Sequence, residues 1–379
     1  MLRLLHTSDW QLGMTRHFLN SDAHPRFDQE RIDAVTRIAS IADNEHCDLV
    51  VVAGDVFESN YLDRQYLLRC LEALRSFHVP VVLVPGNHDP SDPASIYTSR
   101  QFRSACPPQI VVAHDTTPLQ FPDLECVIYP APWPSKRVTM DLVTQACTAV
   151  RPDSARYRVV VGHGAVDTIV PSFDNPAAIL LSDLEPYLTS SIVHYVALGD
   201  RHSRTEVGET GRCWYSGTPV VTDFDETEPN SVLLVDLADD GTVSLQTRET
   251  SQWRFIDLAA DFIGRLSVDQ LRERLDAIAH KHTVVLRLSL TGTLKLMDYL
   301  QLEQILEDYH ALFAGFTRWE RQSDLTILPG EITSEMLDLH GYAAQALNAL
   351  IAESSSPTEE ASAALDAVAL LYRLHGQLS

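Results

Sequence analysis

Residues 49–58 read LVVVAGDVFE, five apolar residues followed at once by glycine, aspartate and, three residues later, glutamate. A short apolar run bounded by Gly and Asp is typical of a strand that is buried on both faces, as in a parallel sheet covered by helices. Runs of the same kind recur in the first half of the chain, at residues 2–6, 79–84, 126–129, 158–161 and 195–198. Together they predict a sheet of buried strands.

Two stretches between the early strands carry apolar residues three or four positions apart, which is the spacing of an amphipathic helix. The first holds Ile32, Val35, Ile38, Ala39 and Ala42, and the second holds Leu67, Leu71, Leu74 and His78. Strands that alternate with helices define an α/β fold. After Ala197 the pattern changes to strands separated by turns, at 213–215, 231–235 and 243–246, with a hairpin turn at Asp239-Asp240-Gly241. These later strands predict a second sheet that closes the first domain as a β-sandwich flanked by helices.

Length and charge limit the possible functions. At about 150 residues per domain, a chain of 379 residues has room for two domains and a short appendage. A hydrophobic content of 45% is ordinary for a globular protein and excludes wholesale disorder. The formal charge of −23 counts against unaided binding to a polyanion such as DNA.

The six cysteines contain no CxxC pair and predict buried free thiols rather than a disulfide framework. Arg3, His6 and Asp9 do not fit a signal peptide. No apolar run approaches the roughly 18 residues of a membrane span. We therefore expect a soluble protein of the reducing cytoplasm.

The pattern of apolar and polar residues changes near Trp253. A capping box at Ser267 and Gln270 begins a helix, a strand follows at residues 284–290, and a further helix places six apolar residues on one face: Leu302, Ile305, Leu306, Tyr309, Leu312 and Phe313. Two more helical segments, at 333–352 and 357–374, end the chain. These features predict a first domain at 1–250, a small α+β domain at 251–331 and a helix–loop–helix tail at 332–379.

Polar side chains follow the ends of five predicted strands, where α/β sheets place their sites. In chain order these residues are Asp9 and Gln11, Asp55, Asn87 and His88, His163, and Asp200 and His202. Carboxylate, amide and imidazole groups are donors for divalent metals, and one shared carboxylate can bridge two ions. A glycine before several of these residues allows a sharp turn that aims the next side chain inward. The pattern predicts a two-metal site.

The same residues resemble those of a known family. Asp9, Gly54-Asp55, Gly86-Asn87-His88-Asp89, His163 and Gly199-x-x-His202 match, in order, the pattern D-x-H, GD, GNH(D/E), H and GH-x-H of the calcineurin-like metallophosphoesterases. Residues 5–13, LHTSDWQLG, and 53–58, AGDVFE, resemble the SbcD branch, which includes the MRE-eleven nucleases and works with an SMC-like ATPase. The motifs cover about residues 1–250, and the rest agrees with that branch's capping domain and ATPase-binding segment only in order and length.

The chain departs from the family pattern at two positions, since Gln11 and Asp200 stand where the family has histidine. Carried over residue by residue, the resemblance implies one metal on Asp9, Gln11, Asp55 and His202, and a second on Asp55, Asn87, His163 and Asp200. A glutamine carbonyl and a carboxylate can both bind a metal. Three carboxylates and fewer imidazoles favour Mn²⁺, or else Mg²⁺, over Zn²⁺.

The resemblance implies a two-metal DNA nuclease that is the homodimeric subunit of an SbcC–SbcD-like repair complex. It implies an exonuclease and leaves endonuclease activity open. His88 is the residue expected to protonate the leaving oxygen or to stabilise charge in the transition state. One alternative is a phosphodiesterase of the same fold that acts on a small molecule such as a cyclic nucleotide. Another is a scaffold without activity that only docks the ATPase.

Other candidates are weaker. Arg201 and Arg204 lie close to His202 in the sequence. Their positions are equally consistent with contact to a phosphate and with a structural role. The histidines without ligand spacing, such as His6, predict structural roles. Trp133, among three prolines, predicts a rigid packed loop.

Overall fold

The computed structural model describes residues 1–169, 175–262, 267–328 and 339–354, with isolated residues between 361 and 371. The chain forms two compact units. The first comprises Met1–Arg16 and His24–Trp253, and the second comprises His17–Ala23 and Arg254–Ser379. Of the helices in these described residues, none combines the length and the apolar composition that crossing a bilayer requires.

The first unit contains two sheets of six strands each. Its strands, in chain order, are β1 Leu2–Thr7, β2 Leu49–Ala53, β3 Val81–Val84, β4 Ile110–Val112, β5 Leu119–Phe121, β6 Cys126–Ala131, β7 Tyr157–His163, β8 Tyr195–Gly199, β9 Thr205–Glu206, β10 Cys213–Tyr215, β11 Ser231–Leu237 and β12 Val243–Glu249. The nine strands that the sequence predicts in this unit are all present. The three that it missed, β4, β5 and β9, have only two or three residues and carry too little pattern to detect.

The sheet order corrects one expectation. The first sheet has the order β12-β11-β1-β2-β3-β4 and the second has the order β5-β6-β7-β8-β10-β9. The prediction that the strands after Ala197 belong to the second sheet is confirmed for β10 and is wrong for β11 and β12. Strand β11 returns to pair antiparallel with β1, from Leu2 opposite Leu237 to His6 opposite Leu233, and β12 follows it through the predicted hairpin turn. The free edge of β1 accepts this hairpin because β2 already occupies its other edge.

Five helices cover the sheets of the first unit: α1 Ala23–Asn44, α2 Arg64–Leu74, α3 Arg100–Ala105, α4 Leu142–Thr148 and α5 Leu181–Thr189. Strand β2 shows how the layers form. Val50 and Val52 pack in the cluster that contains residues of α1 and α2, whereas Leu49, Val51 and Ala53 pack in the cluster between the two sheets. Side chains alternate between the faces of a strand, so β2 is buried on both faces. The α/β sandwich of two sheets flanked by helices is confirmed.

The six cysteines are free, as predicted, and five of them are buried, with Cys106 partly exposed. His6 is also buried, between the sheets, where its ring contacts the hydroxyl of Tyr195 and the carbonyl of Leu198. Burial lowers the pKa of His6 to about 3, which keeps the ring neutral. Its role is structural.

The described residues of the second unit form four strands, and every pairing among them is parallel. Its elements are β13 Arg254–Asp261, α6 Val268–Asp276, β14 Val284–Lys295, α7 Leu296–His310, β15 Gly315–Arg318, β16 Asp324–Leu328 and α8 Tyr342–Ser354. The predicted capping box begins α6. Helix α7 ends before the last two residues of the predicted apolar face, of which Leu312 is half exposed and Phe313 is buried. Helix α8 covers part of the first predicted segment of the tail, and only isolated residues of the second predicted segment are described.

Strands β2 and β8 approach closely at their carboxyl ends. A Cβ atom built on Gly199 would lie 1.8 Å from the carbonyl oxygen of Ala53 and 2.8 Å from Nδ1 of His163. Both obstacles belong to buried, packed groups that cannot move away. Gly199 is therefore required by the space between the sheets.

We expect Gly199→Ala to destabilise the protein by about 3 kcal/mol or more, because overpacking forces the two sheets apart. Thermal and denaturant unfolding of the full chain would measure the loss. Gly211→Ala is the matched control, since its added Cβ meets only Glu206 Oε1, at 3.8 Å, and only its left-handed backbone, φ 69°, opposes the change. Equal losses in the two variants would contradict a steric role for Gly199.

Candidate metal centre

The predicted polar residues converge at the carboxyl ends of five strands from both sheets. Residues 9 and 11 follow β1, residue 55 follows β2, residues 87 and 88 follow β3, residue 163 ends β7, and residues 200 and 202 follow β8. Two backbone hydrogen bonds, from Asp9 N to Gly54 O and from Gln11 N to Asp55 O, join the loops beyond β1 and β2. The five strand ends therefore build one site.

His163 lies at the centre of one group. Its Nδ1 contacts the carbonyl of Ala53 at 2.9 Å, so that Nε2 points the other way. Three oxygen atoms approach Nε2: Asn87 Oδ1 at 2.8 Å, Asp55 Oδ2 at 3.3 Å and Asp200 Oδ1 at 3.6 Å. Oxygens that converge on an imidazole nitrogen are an arrangement suited to a cation.

Asp9, Gln11 and His202 form the neighbouring group. His202 Nε2 lies 3.2 Å from Gln11 Nε2 and 3.8 Å from Asp9 Oδ1. The other amide atom of this glutamine, Oε1, is buried and has no hydrogen-bond partner among the described residues. A buried carbonyl oxygen without a donor is costly, and a bound cation would satisfy it. The residues present therefore fit a metal.

Ligand atoms of Asp9, Asp55 and His163 all lie within 4.8 Å of one another, and all three residues are buried. Burial raises the pKa of Asp9 to about 6. Burial also acts to raise the pKa of Asp55, but the neighbouring His163 and His88 outweigh it and the pKa is lowered. Acidic neighbours, with Asp55 foremost, likewise overcome burial and raise the pKa of His163 well above its usual range. The centre thus concentrates negative charge that attracts cations.

The backbone at this centre is strained. Asp9, Gln11, Asp55 and Asp200 adopt φ values of 53°, 43°, 52° and 98°, in the left-handed region that side chains other than glycine rarely occupy. The sequence analysis expected the preceding glycines to make the sharp turns. Instead the polar residues themselves have the left-handed backbone, and among the glycines that precede them Gly54, at φ 88°, shares it. Such strain is concentrated at functional sites.

Gly54 is needed for a second reason. A Cβ atom on this residue would lie 2.1 Å from Nδ1 of His163. The imidazole therefore packs directly on the backbone of the Gly-Asp turn.

His88 lies at the edge of the centre, with its side chain 37% exposed. Its backbone N–H donates to Asp55 Oδ1 at 3.0 Å. The ring Nδ1 contacts the carbonyl oxygen of Glu58 at 3.2 Å, and Nε2 lies 3.9 Å from Asp55 Oδ2. The hydrogen bond that the ring donates to the Glu58 carboxylate raises the pKa of His88 to about 9.

Several residues that position the site escaped the sequence analysis. Glu226 Oε1 accepts from His202 Nδ1 at 2.9 Å, although it lies 24 residues further along the chain. Trp133 Nε1 donates to the carbonyl of His163 at 2.7 Å, which gives the rigid loop a function. Asp89 joins two loops by accepting from Gly86 N, Phe57 N and the hydroxyl of Tyr97. The motif GNHD contains Asp89, but no sequence spacing signals the other two.

Comparison with known proteins identifies the family. The model of the calcineurin-like phosphoesterases matches residues 2–244. The chain belongs to this family and is a metal-dependent phosphoester hydrolase.

Its curated relatives confirm the resemblance to SbcD and Mre11 nucleases. The DNA double-strand break repair protein Mre11 of Sulfolobus acidocaldarius is 24% identical over 322 residues, which cover 81% of this chain and 80% of that protein. The Mre11 protein of Halobacterium salinarum is 26% identical over 330 residues, which cover 82% of this chain and 76% of that protein. The SbcD subunit of the nuclease SbcCD of Escherichia coli is 23% identical over 257 residues, 59% of this chain and 62% of that protein.

We expect Asp55→Asn to weaken divalent metal binding at least 100-fold, because the change removes an anionic donor from the buried cluster. Asparagine tolerates positive φ and keeps an oxygen for the N–H of residue 88, so the fold should survive. Calorimetric titration with Mn²⁺ and metal analysis after dialysis would measure the loss. Asp33→Asn, an exposed carboxylate on α1, is the control. Full metal content in Asp55→Asn would refute the cluster as the metal site.

Proposed function

We propose that the protein is a two-metal nuclease that hydrolyses phosphodiester bonds in DNA. The observation that carries the proposal is the convergence of the motif residues on one buried acidic centre, with the Gln11 carbonyl oxygen left without a donor. The names of the relatives, DNA repair proteins and a nuclease, support DNA as the substrate.

The two groups of side chains support two sets of metal ligands that share Asp55. The proposed ligands are Asp9, Gln11, Asp55 and His202 for one ion, and Asp55, Asn87, His163 and Asp200 for the other. Divalent cations bound there would supply Lewis-acid polarisation of a phosphoryl group and lower the pKa of water near neutrality. The oxygen-rich donor set favours Mn²⁺, with Mg²⁺ next, over Zn²⁺.

Two hydrogen bonds support His202 as a ligand. Its Nδ1 lies 2.9 Å from Glu226 Oε1 and 2.7 Å from Thr222 Oγ1. Donation of the Nδ1 proton to Glu226 leaves the lone pair of Nε2 directed towards Asp9 and Gln11. A carboxylate behind a ligand histidine orients the ring and strengthens it as a donor.

We assign His88 to proton donation. Its Nδ1–H donates to the Glu58 carbonyl, so Nε2 faces the side of the centre where Asp55 lies. The partly exposed ring is in reach of an arriving substrate, which a buried group is not. From this position Nε2–H can donate a proton to the leaving oxygen or stabilise its charge.

The proposal includes an SMC-like, SbcC-type ATPase as partner, which the name of the Escherichia coli relative supports. The charge of the chain gives a physical reason for a partner. Arg156 pairs with Asp239 and Glu125, and Arg158 donates to three backbone carbonyls, so both guanidinium groups are held by partners within the fold. A partner would supply the basic surface that a duplex requires. Assembly as a homodimer and location in the cytoplasm remain predictions of the sequence.

A nuclease assay tests the proposal. We expect the purified protein with Mn²⁺ to cleave linear DNA, with lower rates in Mg²⁺ and the lowest in Zn²⁺. A cyclic dinucleotide and an aryl phosphodiester are assayed beside it. Equal or faster turnover of the cyclic dinucleotide would favour a small-molecule phosphodiesterase, and no turnover of any substrate would favour a scaffold.

We expect His88→Ala to retain its metal and to lose roughly 10²- to 10⁴-fold in turnover. Metal is retained because the hydrogen bond to Asp55 comes from the backbone N–H, which alanine keeps. Rates on DNA and metal content are measured on the same preparations, with the exposed His78→Ala as control. Unchanged turnover, or metal loss equal to that of Asp55→Asn, would contradict the assignment.

A further inference from the structure

A cavity of about 450 Å³ opens beside the metal centre within the first unit. Asp200 and His202, both proposed ligands, form part of its wall, and Arg16 and Arg201 also line it. Its volume is within the range of small-molecule sites and suits one nucleotide unit rather than an extended strand. The cavity therefore adjoins the proposed metal ligands and has room for a neighbouring part of a substrate.

The two arginines are oriented by the protein but are not neutralised. Nε of Arg16 donates to the carbonyl of Thr222 at 2.8 Å, and Nε of Arg201 donates to Thr205 Oγ1 at 2.8 Å. Neither guanidinium forms an ion pair with a carboxylate in the described part of the chain. Each side chain is thus fixed through one nitrogen while its terminal amino groups remain available.

Arg204, unlike Arg16 and Arg201, is paired with a carboxylate. It is three residues from Arg201, but its guanidinium pairs with Glu228 and hydrogen-bonds to Thr247. The structure separates the two arginines that the sequence could not distinguish. In a chain with a formal charge of −23, two oriented guanidinium groups that form no ion pair within the described residues, beside a proposed phosphodiester site, suit an anionic ligand.

We infer that Arg16 and Arg201 bind a second phosphate of the substrate strand, next to the phosphate that is cleaved. The inference rests on the proposed function and adds a substrate-binding site to it. A planar guanidinium matches the oxygens of a phosphate with two parallel hydrogen bonds, and the charge strengthens both. Asp223 and Asp225, which are exposed, line the same cavity and repel further phosphates. The site therefore takes one additional phosphate and not a continuous polyanion.

The test compares a substrate that has a second phosphate with one that lacks it. Arg16→Ala and Arg201→Ala are assayed on a short single-stranded oligonucleotide and on bis(p-nitrophenyl) phosphate, in Mn²⁺. We expect kcat/KM for the oligonucleotide to fall about 10- to 100-fold, mainly through KM, because one charge-assisted contact is lost. The loss should be at least tenfold greater than the loss on the aryl diester. Oligonucleotide binding should also depend less on salt. The slope of the logarithm of the binding constant against the logarithm of salt concentration should fall in magnitude by about 1.

Arg204→Ala is the matched control and should change oligonucleotide kinetics less than twofold. Metal content of every variant is measured as well. Wild-type kinetics in both Arg16→Ala and Arg201→Ala, or equal losses on the two substrates, would overturn the inference while leaving the nuclease intact. A wild-type protein that hydrolyses the aryl diester but not the oligonucleotide would remove the proposed function and this inference with it.

Discussion

The hydrogen bond between His163 Nδ1 and the Ala53 carbonyl, 2.9 Å long, joins the carboxyl ends of the two sheets at the metal centre. It sets the direction of the imidazole, so that Nε2 faces Asn87, Asp55 and Asp200. The bond is possible only because Gly54 and Gly199 have no side chain, since a Cβ on either would lie within 2.8 Å of the ring. A shift of one sheet relative to the other would break this contact and separate the ligand groups.

The conformation of the centre costs folding free energy. Asp9 and Asp55 are almost completely buried, and both have a left-handed backbone. Residues in such conformations cost on the order of 1–3 kcal/mol each and persist only where their surroundings determine them. The surroundings here are hydrogen bonds: Ser8 Oγ and the N–H of Asp200 donate to Asp9, and the N–H of His88 donates to Asp55. Preorganised carboxylates of this kind bind cations without further rearrangement.

Although the chain is acidic overall, its arginines have different surroundings in the structure. Many are part of the scaffold: Arg3 pairs with Asp236, and Arg248 with Glu45. Arg31 is fully buried, donates to the Trp10 carbonyl and lies over the Phe27 ring, so it supports the loop that carries Asp9 and Gln11. The total charge therefore says little about the site, because the proposed binding of a substrate phosphate depends on a few oriented cations beside the centre.

The sequence by itself determined nine of the strands of the first unit, the α/β class and which polar residues follow the strand ends, because buried strands and their polar ends have a local pattern. It also identified Gln11 and Asp200 as departures from the family. Tertiary structure alone decided that β11 and β12 join the first sheet, since pairing depends on which strand edge is free and not on local composition. It alone showed that Glu226 and Trp133 support His202 and His163, and that Arg201 is available where Arg204 is neutralised. The contacts to Glu226 and Trp133 join residues 20 or more positions apart in the chain. Arg201 and Arg204 are close in the sequence but have different partners. In both cases the interaction energy that selects the partner arises only when the chain is folded.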